Sequence, residues 1–342
     1  MISFLKELFR MLIISFALLI IINAVTVTVW LSEIKKRKDP FSFEHEKKHV
    51  PDERDFLSPA VVVKLLSRRG LSANDVTAGL LSLVTKEALR LSEKKGFESP
   101  FFIDQTHRGR DGKLTQDERF LLEWICYDIG SNGTFHVTDL EVYTSNNGKM
   151  EEYLHNLYEW ERSVIETMKS HQFYRPLNFP RMVLIGNGAA GIAAGSVLLF
   201  FAPFSGLGIF LSSLLSLGLI YFISPHTVAG RMEEQKWQKY YEYIKNAGSE
   251  AFNSDDITKS FVYAVAFRVA DRFLTRFSVQ EAGEIKVSQE SFPLYYVAPT
   301  GTAVLSLEGV KMYRDLEQGF DLVENAPVAF GDNTDGTGLD NV

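Results

Sequence analysis

Two short patterns in this 342-residue chain have residue types and spacings that could do chemistry. The first is His45-Glu46-Lys47-Lys48-His49, a match to H-E-x-x-H. On a helix, two histidines one turn apart can hold zinc while the glutamate activates a metal-bound water. That chemistry also needs a third protein ligand and a rigid helix with apolar neighbours. Here Pro51 stops any helix two residues after His49, the flanks are charged, and no histidine follows at the spacing of metzincin-type sites. A third ligand would have to come from elsewhere in the fold, such as His107, His136, Glu87 or Glu118. The segment therefore reads as a solvated linker. A membrane-anchored zinc metallopeptidase using His45, Glu46 and His49 is the leading enzyme alternative.

The second pattern, Gly186-Asn-Gly188-Ala-Ala-Gly191, matches the dinucleotide fingerprint G-x-G-x-x-G. That fingerprint works between a strand and a helix, with an acid about 20 residues further on to hold the ribose. No Asp or Glu occurs from Met182 until Glu233, and the stretch is apolar throughout. Gly191 and Gly195 are instead spaced G-x-x-x-G, with Gly186, Ala190 and Ala194 repeating a small residue every four positions. Such faces let membrane helices approach closely, and Gly191 and Gly195 are candidates for oligomerisation. The single cysteine, Cys126, lies in an apolar helical stretch and reads as a small buried hydrophobe.

The elements that carry these residues follow from hydropathy. Residues 11–32 form a charge-free run of 22, and residues 182–230 a second of 49. About 20 apolar residues span a bilayer, so the first run gives one span and the second gives a pair. The pair divides at Ala202-Pro203-Phe204-Ser205-Gly206, placing spans at 11–32, 182–202 and 206–224. Lys35, Lys36, Arg37 and Lys38 outweigh Lys6 and Arg10, so the carboxyl end of the first span is expected in the cytoplasm. Arg175 and Arg181 before the hairpin, and Arg231, Lys236 and Lys239 after it, agree, and Trp30 fits an interfacial anchor. The first span exceeds a signal-peptide core and ends without a small-x-small cleavage site.

Outside the membrane, the sequence predicts a short extracytoplasmic amino terminus at 1–10 and a charged linker at 33–56. A winged-helix-like cytoplasmic domain is expected at 57–174. Ser58-Pro59 starts one helix, and Ser72 or Asn74 caps the next. Strands follow near Ala88-Leu-Arg-Leu91 and Phe101-Phe-Ile103, and Thr115-x-x-Glu118 is a capping box opening another helix. The recognition-helix candidate, Ala73 to Thr85, has no Lys or Arg, so no nucleic-acid partner is expected. A second cytoplasmic α+β domain is placed at 228–314. Residues 315–342 carry seven acidic and no basic side chains, and read as a disordered tail. The chain has 36 basic and 43 acidic residues, so this tail accounts for the formal net charge of −7 and the remainder is neutral.

The order of the Ser58-Pro59-Ala60 helix, the helix with Asp75-Val-Thr-Ala-Gly-Leu-Leu-Ser-Leu83, the two-span hairpin, the Gly230 to Ile244 helix with Trp237 and the Tyr263-Ala264-Val-Ala266 helix resembles the YciQ-type predicted membrane proteins. These are a bacterial family of unknown function, and the resemblance covers about residues 50 to 275. It implies the order of span, cytoplasmic domain, hairpin and cytoplasmic tail domain, and carries over no catalytic residue. Family members usually place a signal peptide and a large extracytoplasmic β-rich domain ahead of the first span, where this sequence has ten residues. The expectation is an α-helical, three-span protein of the bacterial plasma membrane acting as a non-enzymatic interaction or assembly module. Its partners would be the lipid bilayer and other membrane or cytoplasmic proteins. No catalytic, cofactor-binding or metal residue is assigned. A membrane-tethered transcription regulator is the third class considered.

Overall fold

A computed structural model describes residues 2–38, 57–67, 69–92, 101–106, 108, 114–175, 177–249, 252, 254–277, 279–280, 295–297 and 303–325. The protein is mostly helical and divides into two compact units, one of Met1–Lys47 with Gln172–Ala229, the other of Lys48–His171 with Gly230–Val342.

The first unit contains three helices long and apolar enough to cross a membrane. Helix α1 (Ile2–Lys38) runs on through Lys35 to Lys38, well past the limits expected from hydropathy. Helices α7 (Phe179–Phe201) and α8 (Pro203–Leu219) are separated by Ala202 alone. The break is tighter than the expected turn from Ala202 to Gly206, because Pro203 occupies the first turn of α8, where its missing N–H costs nothing. At 1.5 Å per residue the 23 residues of α7 reach about 35 Å, enough for a hydrocarbon core of about 30 Å. A short 3-10 turn, Ile220–Phe222, follows α8.

The second unit joins segments that the sequence separates into two domains. Helix α2 (Pro59–Leu66) starts at Ser58, whose Oγ accepts from Val61 N–H, and Pro59 pre-sets the first turn. Helix α3 (Ala73–Thr85) follows, then an antiparallel pair, β1 (Leu89–Ser92) and β2 (Phe101–Asp104), in register Leu89 to Asp104. Helix α4 (Gln116–Glu123) opens at the expected capping box, with Glu118 accepting from Thr115 N–H at 3.2 Å. It runs into a π-helical turn, Trp124–Ile129, before β3 (Thr134–His136) completes the sheet in the order β1-β2-β3. A 3-10 turn (Val137–Leu140), α5 (Glu141–Ser145) and the long α6 (Asn147–Ser170) end this half.

The other half supplies α9 (Val228–Asn246), α10 (Ser254–Ala266), α11 (Ala270–Leu274), three short strands, β4 (Val279–Gln280), β5 (Tyr295–Val297) and β6 (Ala303–Ser306), and α12 (Leu307–Glu324). α3 packs against α2, α4, α10 and α12, so both halves share one core. The segments expected as domains 57–174 and 228–314 therefore pack together in one unit, and neither covers α3 alone. The acidic tail expected from 315 is described as far as 325. There α12 continues through Asp315, with Val310, Tyr313, Leu316, Phe320 and Val323 buried at helical spacing beneath the acidic residues.

Candidate functional site

Within the first unit, the residues that could do chemistry in a membrane are instead joining helices. Asn187 Nδ2 of α7 donates to Thr26 Oγ1 and to the Ile22 carbonyl of α1, both at 3.1 Å. Asn23 Nδ2 donates to Ser212 Oγ of α8 at 3.2 Å. Such interhelical bonds contribute about 0.6 to 2 kcal/mol each in a bilayer. The small face faces inward: a methyl at Gly191 would strike Ser213 and Ile22, and one at Gly195 would strike the backbone at Phe210. Gly191 and Gly195, the candidates for oligomerisation, are both buried against neighbouring helices of the same chain. Gly186 to Gly191 lies wholly inside α7, so the strand-to-helix turn that a dinucleotide phosphate requires does not exist there.

At the ends of the hairpin the chain is pinned. Asn178 caps α7 by accepting from Arg181 N–H and donates to the Ser224 carbonyl at 2.8 Å, while Arg181 donates to the Ile223 carbonyl at 2.8 Å. Tyr174 and His226 pair as an isolated antiparallel bridge.

In the second unit, polar groups converge on the start of α3. Asp75, fully buried, accepts from Ser72 N–H at 2.9 Å and holds the Arg69 guanidinium in a two-pronged pair at 2.5 and 2.7 Å. Arg69 also donates to the Ala266 carbonyl at the end of α10, and Arg268 donates to Ser72 Oγ at 2.8 Å. Arg268 has φ +58, a left-handed backbone that ends α10 and separates it from α11. Asn74 donates to Glu317 of α12 at 2.7 Å. Beside this knot is a cavity of about 250 Å³ lined by Val63, Leu66, Arg69, Tyr241, Phe267 and Arg268.

A second knot ties α2, α4 and α6. Asp117 accepts from Ser58 Oγ at 2.5 Å and Thr167 Oγ1 at 2.9 Å, and Trp160 Nε1 donates to its carbonyl at 3.1 Å. Burial, and then the charge of Glu118, push the Asp117 carboxyl up, against the hydroxyl donors. Ser58 and Asp117 are closed to solvent, so this hydroxyl and carboxyl pair clamps helices and has no room for a substrate. Lys86 and Glu118 form an ion pair at 2.5 Å beside it. Cys126 is buried in the π-helical turn, where burial pushes its thiol up to about 12, leaving no thiolate for catalysis at neutral pH.

His45, Glu46 and His49 lie outside the described residues, as does His107. Of the other possible ligands, His136 stacks on Phe101, Glu118 is held by Lys86, and Glu87 is an exposed residue with φ +60. Among the described residues no group of three His, Cys, Asp or Glu side chains is placed to hold a metal. Sequence reasoning missed the Arg69–Asp75 pair. Its one local signal was Asp75 three residues after Ser72, the spacing of a helix cap.

The decisive comparison is a family described as "Predicted membrane protein (DUF2207) C-terminal domain", whose model matches residues 47–277. The chain belongs to this family. It is the family that the order of motifs around Ser58, Asp75, Trp237 and Tyr263 resembles. The DUF2207 match encloses α2 to α11 and therefore both α7 and α8. Comparison with curated proteins and with solved structures found no match.

Proposed function

We propose that this DUF2207 chain is a three-span protein of the bacterial plasma membrane, with its amino terminus outside, whose second unit is a cytoplasmic-face interaction or assembly module without catalysis of its own. The observation that carries this reading is the burial of α3, in which 11 of 13 residues are closed to solvent. The order α2, α3, β1, β2 is winged-helix-like, and in DNA-binding versions the second helix enters the major groove. A helix that spends Val76, Leu80, Leu81 and Leu83 on the core has no face left for a groove. Each such buried side chain contributes about 1.5 to 3 kcal/mol, which makes exposure of α3 costly. The hydroxyl, carboxylate and guanidinium groups described above are likewise spent on joining helices. The orientation rests on the basic residues at 35–38 and the uncharged break at Ala202.

The test uses full-length protein in lipid nanodiscs and in cells. A photo-crosslinking residue at Tyr158, 66% exposed on α6, is expected to give a discrete protein adduct in membranes. On mixed genomic DNA near physiological salt, no sequence-selective retention is expected. Selective binding at about 10⁻⁸ M or tighter, the range of true operators, would replace this reading by a membrane-tethered regulator.

A further inference from the structure

Helix α12 places Glu317, Asp321 and Glu324 at i, i+4 and i+7, along one side. That side meets the first turn of α3, whose positive dipole end favours a carboxylate and so acts against the burial of these groups. Asn74 donates to Glu317, and the Ala73 N–H lies close enough to the Glu324 carboxyl to favour its charged form. Glu324 Oε1 is nonetheless buried without a hydrogen-bond partner among the described residues, and the same is true of Tyr153 Oη and Thr77 Oγ1. Tyr153, on α6, is within electrostatic reach of Glu324, and Thr77 lies one helical turn beyond Ala73. A carboxylate with one dry, unbonded oxygen is expensive, whereas a neutral carboxyl loses most of that penalty and can donate.

We propose that Glu324 is a proton-operated latch, its neutral carboxyl seating the last turns of α12 on α3 and its ionisation releasing them. Burial, helped by the charges of Asp321 on its own helix and Asp75 on α3, pushes the Glu324 carboxyl up to about 7, against the Ala73 N–H and Arg268. Of the other elements packed on α12, the 3-10 turn brings Asp139, which is occupied by the His136 N–H, α5 brings Glu141 and Tyr143, and β6 brings no ionisable side chain. The seated end keeps a proton that a released end gives up at an ordinary value near 4.5. Seating therefore weakens as pH rises from about 4.5 to about 7, and is level above that. Leu316, Phe320 and Val323 keep the helix docked by apolar contact, so the latch acts on its end.

The test is hydrogen exchange of residues 317–325 in full-length protein in nanodiscs, corrected for intrinsic rates. Between pH 6 and pH 8 the wild type is expected to lose about tenfold in protection, the ratio set by those two proton affinities. Glu324→Gln, always neutral, is expected to show no such loss. Asp321→Asn, which removes a repelling charge, is expected to move the midpoint to lower pH. Flat protection in the wild type, a tenfold loss retained in Glu324→Gln, or an unmoved midpoint in Asp321→Asn would each overturn the latch.

Discussion

Arg69 and Asp75 meet through two parallel hydrogen bonds, and the carboxylate they share is closed to solvent while the guanidinium remains partly exposed. Removing one partner of such a pair strands the other. Arg69→Ala is expected to destabilise the second unit by about 3 kcal/mol, and Asp75→Ala by a similar amount, in denaturant unfolding of the detergent-solubilised protein. The double variant should cost clearly less than the sum of the two, since neither charge is then left alone. Additive losses would show that the pair does not act as a unit.

The two glycine-rich readings of α7 separate cleanly by substitution. Gly195→Val pushes a side chain into the backbone of α8 and is expected to lower stability by about 1 to 3 kcal/mol, read as a lower melting temperature of the membrane unit. Gly186→Ala meets open space and should leave the melting temperature unchanged or slightly raised. A phosphate-cradling loop would give the opposite ranking.

Orientation is read from cysteines introduced at Ser42, Ser205 and Ser249 in intact cells, against the low background of the buried Cys126. An impermeant thiol reagent is expected to label Ser205→Cys alone. Labelling at Ser42→Cys before permeabilisation would reverse the topology.

Zinc decides between peptidase and scaffold. Purified protein is expected to hold well under one zinc per chain, and Glu46→Ala to leave its behaviour unaltered. One zinc per chain, lost in a His45→Ala, His49→Ala double variant, would establish the metallopeptidase.

What could be read from the sequence was what is encoded within a few residues of itself. The charge-free runs located α1, α7 and α8, Ser58-Pro59 marked the start of α2, and Thr115-x-x-Glu118 marked α4, because caps and apolar spans are local patterns. Long-range pairing has no such signature. Nothing near Asn74 foretells Glu317, and nothing near Arg69 foretells the Ala266 carbonyl. In α12 the local signal existed, with Leu316, Phe320 and Val323 at helical spacing, but it was outweighed by net charge, a property of the surface rather than of the buried stripe. The π-helical turn at Trp124–Ile129 left no mark in residue type.

The union of the two halves around α3 also sets an order of events during synthesis. Asn74 must wait for Glu317, 243 residues later, and the two spans of the hairpin are made in between. At about 5 to 20 residues per second, the interval is about 12 to 50 s. The side of α3 that packs on α10 waits until residues 254–266 are made, and the side that packs on α12 waits for the whole interval. Slowing translation after the hairpin would lengthen the time that this apolar surface stands exposed.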